Sequence, residues 1–310
     1  MDKVSVIIPN YNHARFLKKR IESVLMQSVK PAEIIILDDC STDGSKDLIN
    51  QYRDHTLVSH IIINDKNSGS PFKQWQKGIL HATGDWIWIA ESDDYAEQEF
   101  LKEMLTLANK YQRAGLLYCD SAIVEGDTVQ SESFATIKNR KLNTDRWSNT
   151  YTEQGIKELI DYLMLDGTIN NTSAVLFKAS LLKSFAVDEL PLRYIGDKFV
   201  FCRVLLKSDI AYSPLILNYY QSGGGKPKHT TDYFQYAFEQ YLILDWMLRN
   251  ANFIDVQLQK KFIRQNIQIA FLKHPFKRWG QYLVMMRSNF SLFLMVIQIN
   301  FKRSFIKIDS

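Results

Sequence analysis

Cysteine is scarce in this 310-residue chain: Cys40, Cys119 and Cys202 are odd in number and far apart. That excludes a disulfide framework and fits a reducing compartment. Long apolar runs are missing as well. Nothing approaches the ~18 uninterrupted apolar residues of a membrane span, and the nearest stretch, 290–301, is broken by Ser291, Gln298 and Asn300. No secretory leader is visible, since Lys3 is followed only by the short run 4–9. The loops G-x-G-x-x-G and G-x-x-x-x-G-K-[ST] do not occur, which argues against nicotinamide enzymes and P-loop NTPases. Internal repeats and low-complexity segments are lacking too. These absences predict a cytoplasmic protein, peripheral at the inner face of a membrane at most.

What is present is core-forming material. Hydrophobic residues make up 46% and charged residues 23%, enough for a sizeable core and too apolar for global disorder. The net charge of +4 is unevenly divided. Residues 260–310 hold ten Lys/Arg against Asp309 alone, a charge of +9, which leaves −5 for residues 1–259. A basic tail on a mildly acidic body suits a surface that meets anions, either lipid headgroups or phosphates. An acidic body without a recognisable nucleic-acid module makes nucleic acid a poor partner.

Over the first 120 residues, short β-branched runs alternate with helical spacing. Residues 4–9 (VSVIIP), 33–37 (EIIIL), 60–64, 86–90 (WIWIA) and 116–119 read as strands. Between them Phe16, Leu17, Ile21, Val24 and Leu25, and later Phe100, Leu101, Met104, Leu105 and Ala108, recur at helical spacing. Strands alternating with helices predict a mostly parallel central sheet with helices on both faces. Residues 126–150 are polar and aperiodic and read as a loop or irregular excursion. Residues 222–228 (SGGGKPK) read as a hinge or lid, and 232–307 as wholly helical.

The polar residues fall at the ends of the strands. Asn10-Tyr11-Asn12 follows the first, Asp38-Asp39 the second, and Glu91-Ser92-Asp93-Asp94 the fourth. In an open parallel sheet these ends share one edge, where ligands bind. Four aspartates gathered there repel one another and need a cation or hydrogen-bond donors. A phosphate-bearing ligand with Mg²⁺ or Mn²⁺ meets that need, because hard divalent ions prefer carboxylate and phosphate oxygens. The helix N-terminus after Asn12 adds N–H groups suited to an anion. The aspartates also have a plainer reading as helix caps, Asp38-Asp39 through Ser41 and Asp43, and Asp93-Asp94 ahead of the next helix.

The pieces VSVIIPNYN (4–12), IILDDCSTDGS (35–45) and NSGSPFKQWQKGILHATGDWIWIAESDD (67–94), and more loosely GDKFVFCRVL (196–205), resemble glycosyltransferase family 2. The first three come in the family's order and spacing over about residues 3–120. The likeness fades through 126–190 and is absent after about 230. The resemblance implies the GT-A fold, a Rossmann-like α/β architecture. It implies transfer of a sugar, with inversion, from a nucleoside-diphosphate sugar (a UDP-sugar favoured) to a hydroxyl of a glycan or lipid-linked acceptor, in surface polysaccharide biosynthesis. Asp39 would then hydrogen-bond the base with Asp38 beside it, and Pro9 and Tyr11 would shape the pocket floor. Asn12 and Asn67 complete the donor-binding set with Asp93. Asp93 and Asp94 look like the D-x-D region on the ribose and metal, Asp197 like the catalytic base, and His229 like part of a loop closing over the donor. Glu91 stands where the family usually has Asp, so the Mn²⁺ or Mg²⁺ ligand stays open among Glu91, Asp93 and Asp94. Asp197 follows Gly196 where the family often has Glu, which leaves Asp188 and Glu189 as alternative bases.

The predicted organisation is a GT-A domain over 1–225, with a nucleotide-sugar-binding half (1–115) and an acceptor-facing half (116–225). A basic, helical C-terminal extension (226–310) follows it. Trp147 is a candidate for stacking on a sugar. In the tail, Arg287, Ser291, Gln298 and Lys302 share one helix face, while Leu283, Met286, Phe290, Leu294 and Ile297 lie on others. That pattern suits an anionic membrane surface, or packing on the body or a second subunit. Two rivals remain at this point. One is a protein that keeps the nucleotide pocket without turnover, motivated by Glu91 and the setting of Asp197. The other is a nucleotidyltransferase, which usually wants a glycine-rich phosphate loop that PNYNHAR lacks.

Overall fold

A computed structural model describes residues 2–187, 189–223, 232–267 and 278–306. Strands β1 (Val4–Asn10) and β2 (Glu33–Asp38) are buried at every position. A β-branched run with no polar alternation gives this result when both faces of a parallel sheet are covered. The period of two divides the run between two cores. Ile7, Ile35 and Leu37 face one of them, and Val4, Val6, Ile8, Ile34 and Ile36 face the other.

The second of these cores is closed by α1 (Ala14–Leu25), through Leu17, Ile21 and Val24. Next come α2 (Ser45–Asn50), β3 (Val58–Ile63), α3 (Pro71–His81), β4 (Trp86–Ile89), β5 (Tyr95–Ala96), α4 (Phe100–Lys110) and β6 (Ala114–Glu125). Pro71 opens α3 at a position whose N–H has no helical partner in any case. Residues 126–150 are more ordered than their polarity predicts. They form β7 (Thr128–Ser133), which hairpins onto β6, then α5 (Phe134–Leu142) and a 3₁₀ turn, Arg146–Ser148. After β8 (Tyr151–Glu153), α6 (Gly155–Glu158) runs through a π-helical turn, Leu159–Leu163, into α7 (Met164–Asp166). The remainder is β9 (Val175–Lys178), α8 (Ala179–Leu182), α9 (Gly196–Leu205), β10 (Asp209–Ser222), α10 (Tyr233–Asn250), α11 (Val256–Asn266), α12 (Trp279–Ser288) and α13 (Phe290–Ile306).

The strands join one sheet in the order β3-β2-β1-β4-β9-β6-β10-β5, with β7 on β6 and β8 on β10. β3, β2, β1 and β4 are parallel, as are β6 and β10, but β9 enters between β4 and β6 antiparallel to both. The fold is therefore the expected α/β sheet with helices on both faces and a helical C-terminal part. Those C-terminal helices share the core of the body, since Met285, Leu292 and Val296 are buried in the same cluster as Ile7 and Leu37.

Helix α3 lies directly on β1 and β2 at Gly78. A Cβ there would stand 2.5 Å from Ile7 Cγ2 and 3.0 Å from Leu37 Cδ1. Gly78→Ala should therefore destabilise the chain by about 1–3 kcal/mol through overpacking. The expected readout is a lower urea midpoint at unchanged slope. A wild-type midpoint would mean that α3 can lift off the sheet without cost.

Candidate functional site

Strands β1 and β2 are both followed by left-handed residues, Asn12 (φ 55°) and Cys40 (φ 65°), at the carboxyl edge of the sheet. Asn tolerates this conformation better than Cys does. Asp38 and Asp39, adjacent in sequence, are sent apart by the pleat. The buried Asp38 accepts from Asn10 Nδ2 at 2.8 Å and Ser41 N at 2.9 Å. Asn12 closes the same turn, its Oδ1 accepting from Thr42 N at 2.8 Å. Neither residue lines the adjoining cavity. The polar groups of both are engaged in building the turn that presents Asp39.

That cavity has a volume of about 650 Å³ and is lined by Pro9, Tyr11, Asn67, Asp39, Glu91, Asp93, Asp94 and Asp197. Asp39 is fastened in place. Its Oδ1 accepts from Asn64 Nδ2 (2.7 Å), Ser68 N (2.9 Å) and Gln74 Nε2 (2.9 Å), and its Oδ2 from Ser68 Oγ (2.8 Å). Asn67 Nδ2 donates to the Asp39 carbonyl at 3.1 Å. Through these bonds the end of β2 holds the segment that leads into α3.

The three acids after β4 differ in environment. Glu91 Oε1 accepts from Trp75 Nε1 at 2.6 Å. Asp94 is buried, with Oδ1 accepting from Gln221 N at 2.9 Å and Oδ2 from Asn171 Nδ2 at 3.3 Å. Burial, then the neighbouring Asp93 carboxylate, push its pKa up to about 6, while Arg20 opposes the shift. Asp93 is half-buried and lines the cavity. Below them Arg20 is fully buried and donates from Nε to the Glu91 carbonyl at 2.9 Å. Burial lowers its pKa to about 10 against the raising effect of Asp94, Asp93 and Glu91. Neither of its terminal nitrogens has a hydrogen-bond partner.

Among the described residues no three His, Cys, Asp or Glu side chains converge as a protein-only metal cage. Mg²⁺-type ions do not require one, since they are usually held by one or two carboxylates plus substrate phosphates and water. Glu91, Asp93 and Asp94 all line the cavity and could take that role. Asp94 spends its oxygens inward, and Glu91 is tied to Trp75.

Asp197 is the second residue of α9, half-buried, with Oδ1 accepting from Lys198 N at 2.7 Å. Gly196 before it lies flat on Phe72, where a Cβ would sit 2.5 Å from the ring. Glu189, an alternative base, is exposed and engages Arg203 and the Trp246 indole away from the cavity. Asp188 and His229 lie outside the described residues. Trp147 is no sugar platform. It is buried, its Nε1 donates to the Tyr118 hydroxyl at 2.8 Å, and it belongs to the core.

Other cavity residues were not anticipated from sequence. His13 Nδ1 is 2.9 Å from Ser92 Oγ, and Phe72, Asn171, Arg193 and Gln221 complete the wall. A signal did exist for Arg20, which falls three residues after Leu17 and four before Val24 on the apolar stripe of α1. A charge at such a position must find compensation inside.

Comparison with known proteins agrees with the fold and the motifs. The sequence model described as "Glycosyl transferase family 2" matches residues 5–164. TuaG of Bacillus subtilis (strain 168), named for teichuronic acid biosynthesis, is 36% identical over 102 residues, covering 33% of this chain and 40% of that protein. TarS of Staphylococcus aureus (strain Mu50 / ATCC 700699), a poly(ribitol-phosphate) beta-N-acetylglucosaminyltransferase, is 31% identical over 121 residues, 38% of this chain and 21% of its own. The chain thus aligns with less than half the length of these relatives. The crystal structure of S. aureus TarS 1-349 in complex with UDP-GlcNAc superposes with a TM-score of 0.68 at 18% identity, covering 92% of this chain and 79% of that one.

The raised pKa of Asp94 has a consequence for stability. An acid whose folded pKa exceeds its unfolded value holds its proton more tightly when folded. Its contribution is full below the unfolded pKa and is lost as pH rises through the folded one. For Asp94 that window runs from the ordinary 3.8 to about 6. Asp94→Asn, which cannot ionise, should gain on the wild type by about 2–3 kcal/mol between pH 4 and 7, measured by urea titration in EDTA. A stability difference that does not move with pH would refute the assignment.

Proposed function

Because the chain belongs to glycosyltransferase family 2, on a match spanning residues 5–164, we propose that it transfers a sugar from a UDP-sugar to a hydroxyl of a glycan or lipid-linked acceptor. The transfer proceeds with inversion and serves the building of a cell-surface polysaccharide. The observation that carries this reading is one cavity receiving Asp39 from the end of β2, Asp93 from the end of β4 and Asp197 from the start of α9. The UDP-GlcNAc complex of TarS supports the donor class, and the teichuronic and poly(ribitol-phosphate) names of the relatives support the acceptor class.

Inversion needs a base facing the acceptor hydroxyl while the nucleotide leaves from the other side. Asp197 supplies the carboxylate, and the Lys198 N–H at 2.7 Å orients one of its oxygens. Asp39 and its bonded segment 64–74 shape the place for the base and ribose. Asp93, with Asp94 or Glu91 beside it, would hold Mn²⁺ or Mg²⁺. Bound there, it would supply charge stabilisation to the nucleoside diphosphate leaving group. Arg20, buried beneath, keeps the acidic wall from repelling the donor phosphates outright.

In Asp197→Asn, transfer should fall by about 10²–10⁴-fold while donor affinity stays near wild type. In Asp93→Asn, the metal-dependent part of donor binding should disappear. Isothermal titration with UDP in Mn²⁺ and in EDTA, paired with UDP release from a panel of UDP-sugars, separates the two effects. Wild-type transfer by Asp197→Asn would falsify the base assignment, and full activity in excess EDTA would remove the metal. Saturable binding without product would favour a protein that binds and does not turn over. Pyrophosphate release would point to nucleotidyl transfer.

We further propose that the C-terminal helices rest on an anionic membrane surface. No helix among the described residues is long and apolar enough to cross a membrane. Yet α12 and α13 expose Trp279, Phe290 and Leu294, and Arg287 and the α11 residues Lys261 and Arg264 are also exposed. Each basic residue near anionic lipid contributes on the order of 1 kcal/mol, screened over about 8 Å at physiological salt. Deleting the tail is a poor test, because Met285, Leu292 and Val296 belong to the core. The triple variant Trp279→Ser, Phe290→Ser, Leu294→Ser should instead keep UDP binding and lose co-sedimentation with phosphatidylserine vesicles. Wild-type protein should bind less at high salt and hardly at all to phosphatidylcholine. Equal sedimentation of variant and wild type, or none by either, excludes the membrane role.

A further inference from the structure

The turn that carries Asp197 is held from outside the sheet. The backbone N–H groups of Arg193, Tyr194 and Ile195 all point to one carboxylate, Glu239 of α10. Arg193 N lies 2.9 Å from Oε1, and Tyr194 N and Ile195 N lie 2.8 and 3.1 Å from Oε2. Gln235 Nε2 adds a further bond to Oε1 at 2.9 Å. The next residue, Gln240, accepts through Oε1 from Lys198 Nζ at 3.0 Å, and the same ammonium donates to the Met164 carbonyl at 3.0 Å. Glu239 and Gln240 are both fully buried.

Successive backbone N–H groups facing one way make an anion-binding concavity. Here the chain fills it with its own carboxylate, just before α9 begins. Filling it fixes the direction in which α9 starts, and Asp197 is the second residue of that helix. Successive residues of a helix project about 100° apart, so Glu239 and Gln240 reach the chain on either side of Asp197, at Ile195 before it and Lys198 after it. Packing alone does not call for a charge here. Tyr241, Ile243, Leu244 and Met247 already bury α10 in the core, and a buried carboxylate costs several kcal/mol to desolvate before its partners offset it.

We infer that Glu239, seconded by Gln240, is a positioning residue for sugar transfer, one that sets the Asp197 carboxylate at the cavity and ties the C-terminal helices to the chemical step. The inference rests on the reading of Asp197 as the base. A base displaced by about 1 Å loses on the order of 10² in rate, so the expected mark is a fall in kcat without a change in donor binding.

The test uses the full chain with Mn²⁺ and UDP-GlcNAc, or the UDP-sugar that it turns over fastest, and reads UDP release and UDP affinity. Glu239→Gln keeps the shape but places an NH₂ group among N–H donors. It should bind UDP as the wild type does, hold donor KM within about two-fold, and lose about 10–100-fold in kcat. Glu239→Asp should recover part of that loss. In an Asp197→Asn background, Glu239→Gln should change the rate by less than about two-fold, since both then act through one missing group. Wild-type kcat in Glu239→Gln, or the same fold-loss in both backgrounds, overturns the inference. Should Glu239→Gln fail to bind UDP or to unfold cooperatively, Gln240→Met, which removes the Gln240–Lys198 bond, is judged by the same kcat and KM criteria. If Asp197→Asn keeps full activity, the base assignment falls and takes this inference with it. An inactive Asp197→Asn beside a fully active Glu239→Gln removes the inference alone.

Discussion

Five acidic side chains, Asp38, Asp39, Glu91, Asp93 and Asp94, end on one edge of the sheet, and the chain has to offset their repulsion to close there. At an effective dielectric of about 20, like charges some 4 Å apart repel by about 4 kcal/mol, comparable to much of a domain's net stability. The chain spends its polar residues accordingly. Asn10 and Ser41 serve Asp38, while Asn64, Ser68 and Gln74 serve Asp39. Trp75 serves Glu91, and Gln221 with Asn171 serve Asp94. Arg20 adds a full positive charge from below, and with Nη1 and Nη2 unbonded it is costly to bury. The charges of Asp94, Asp93 and Glu91 above it favour its charged form and offset part of that cost. Asp93 lines the cavity beside Glu91 and Asp94.

The sequence was legible where one local rule decides the outcome. Buried β-branched runs fixed β1, β2 and β4, and the polar residues that follow them fell on the predicted edge. It was less legible where pairing is non-local. β9 is four residues long and acquires its place only by inserting antiparallel between β4 and β6, which no local pattern encodes. Residues 126–150 looked aperiodic because β7 is an exposed hairpin strand and α5 buries little of itself, so neither carries an apolar stripe. Strand edges moved too: β3 runs over Val58–Ile63, where 60–64 was expected.

The site shows the same division. Asp39, Asp93, Asp94 and Asp197 line one cavity, but the hydrogen-bond partners that set their surroundings lie far away in the chain. Gln221 lies 127 residues from Asp94, and Glu239 lies 44 residues from Ile195. Trp147 failed as a surface aromatic for a related reason. Its polar neighbours in sequence suggested exposure, yet α5 and the Tyr118 hydroxyl enclose it. Buried charges on helices, Arg20 and Glu239 above all, are the residues that sequence reading passes over, because a lone charge on a helix normally faces water.

The two sides of the cavity are mechanically continuous. Asp39 fastens Ser68 and Gln74, and Gln74 lies on α3 two residues from Phe72. The Phe72 ring fills the place that any side chain at position 196 would need. Gly196 therefore lets α9 begin against α3 with nothing between them, and the next residue is Asp197. From the other direction Glu239 holds residues 193–195 against α10. The spacing between the end of β2 and the start of α9 is thus set by a ring face on one side and a buried carboxylate on the other. Neither contact has room to slide, since interiors packed at crystal-like density do not deform continuously. Under the proposed reading, with the donor near Asp39 and the acceptor at Asp197, transfer would depend on that spacing. The C-terminal helices, although they carry none of the cavity acids named above, are by this route part of what sets it.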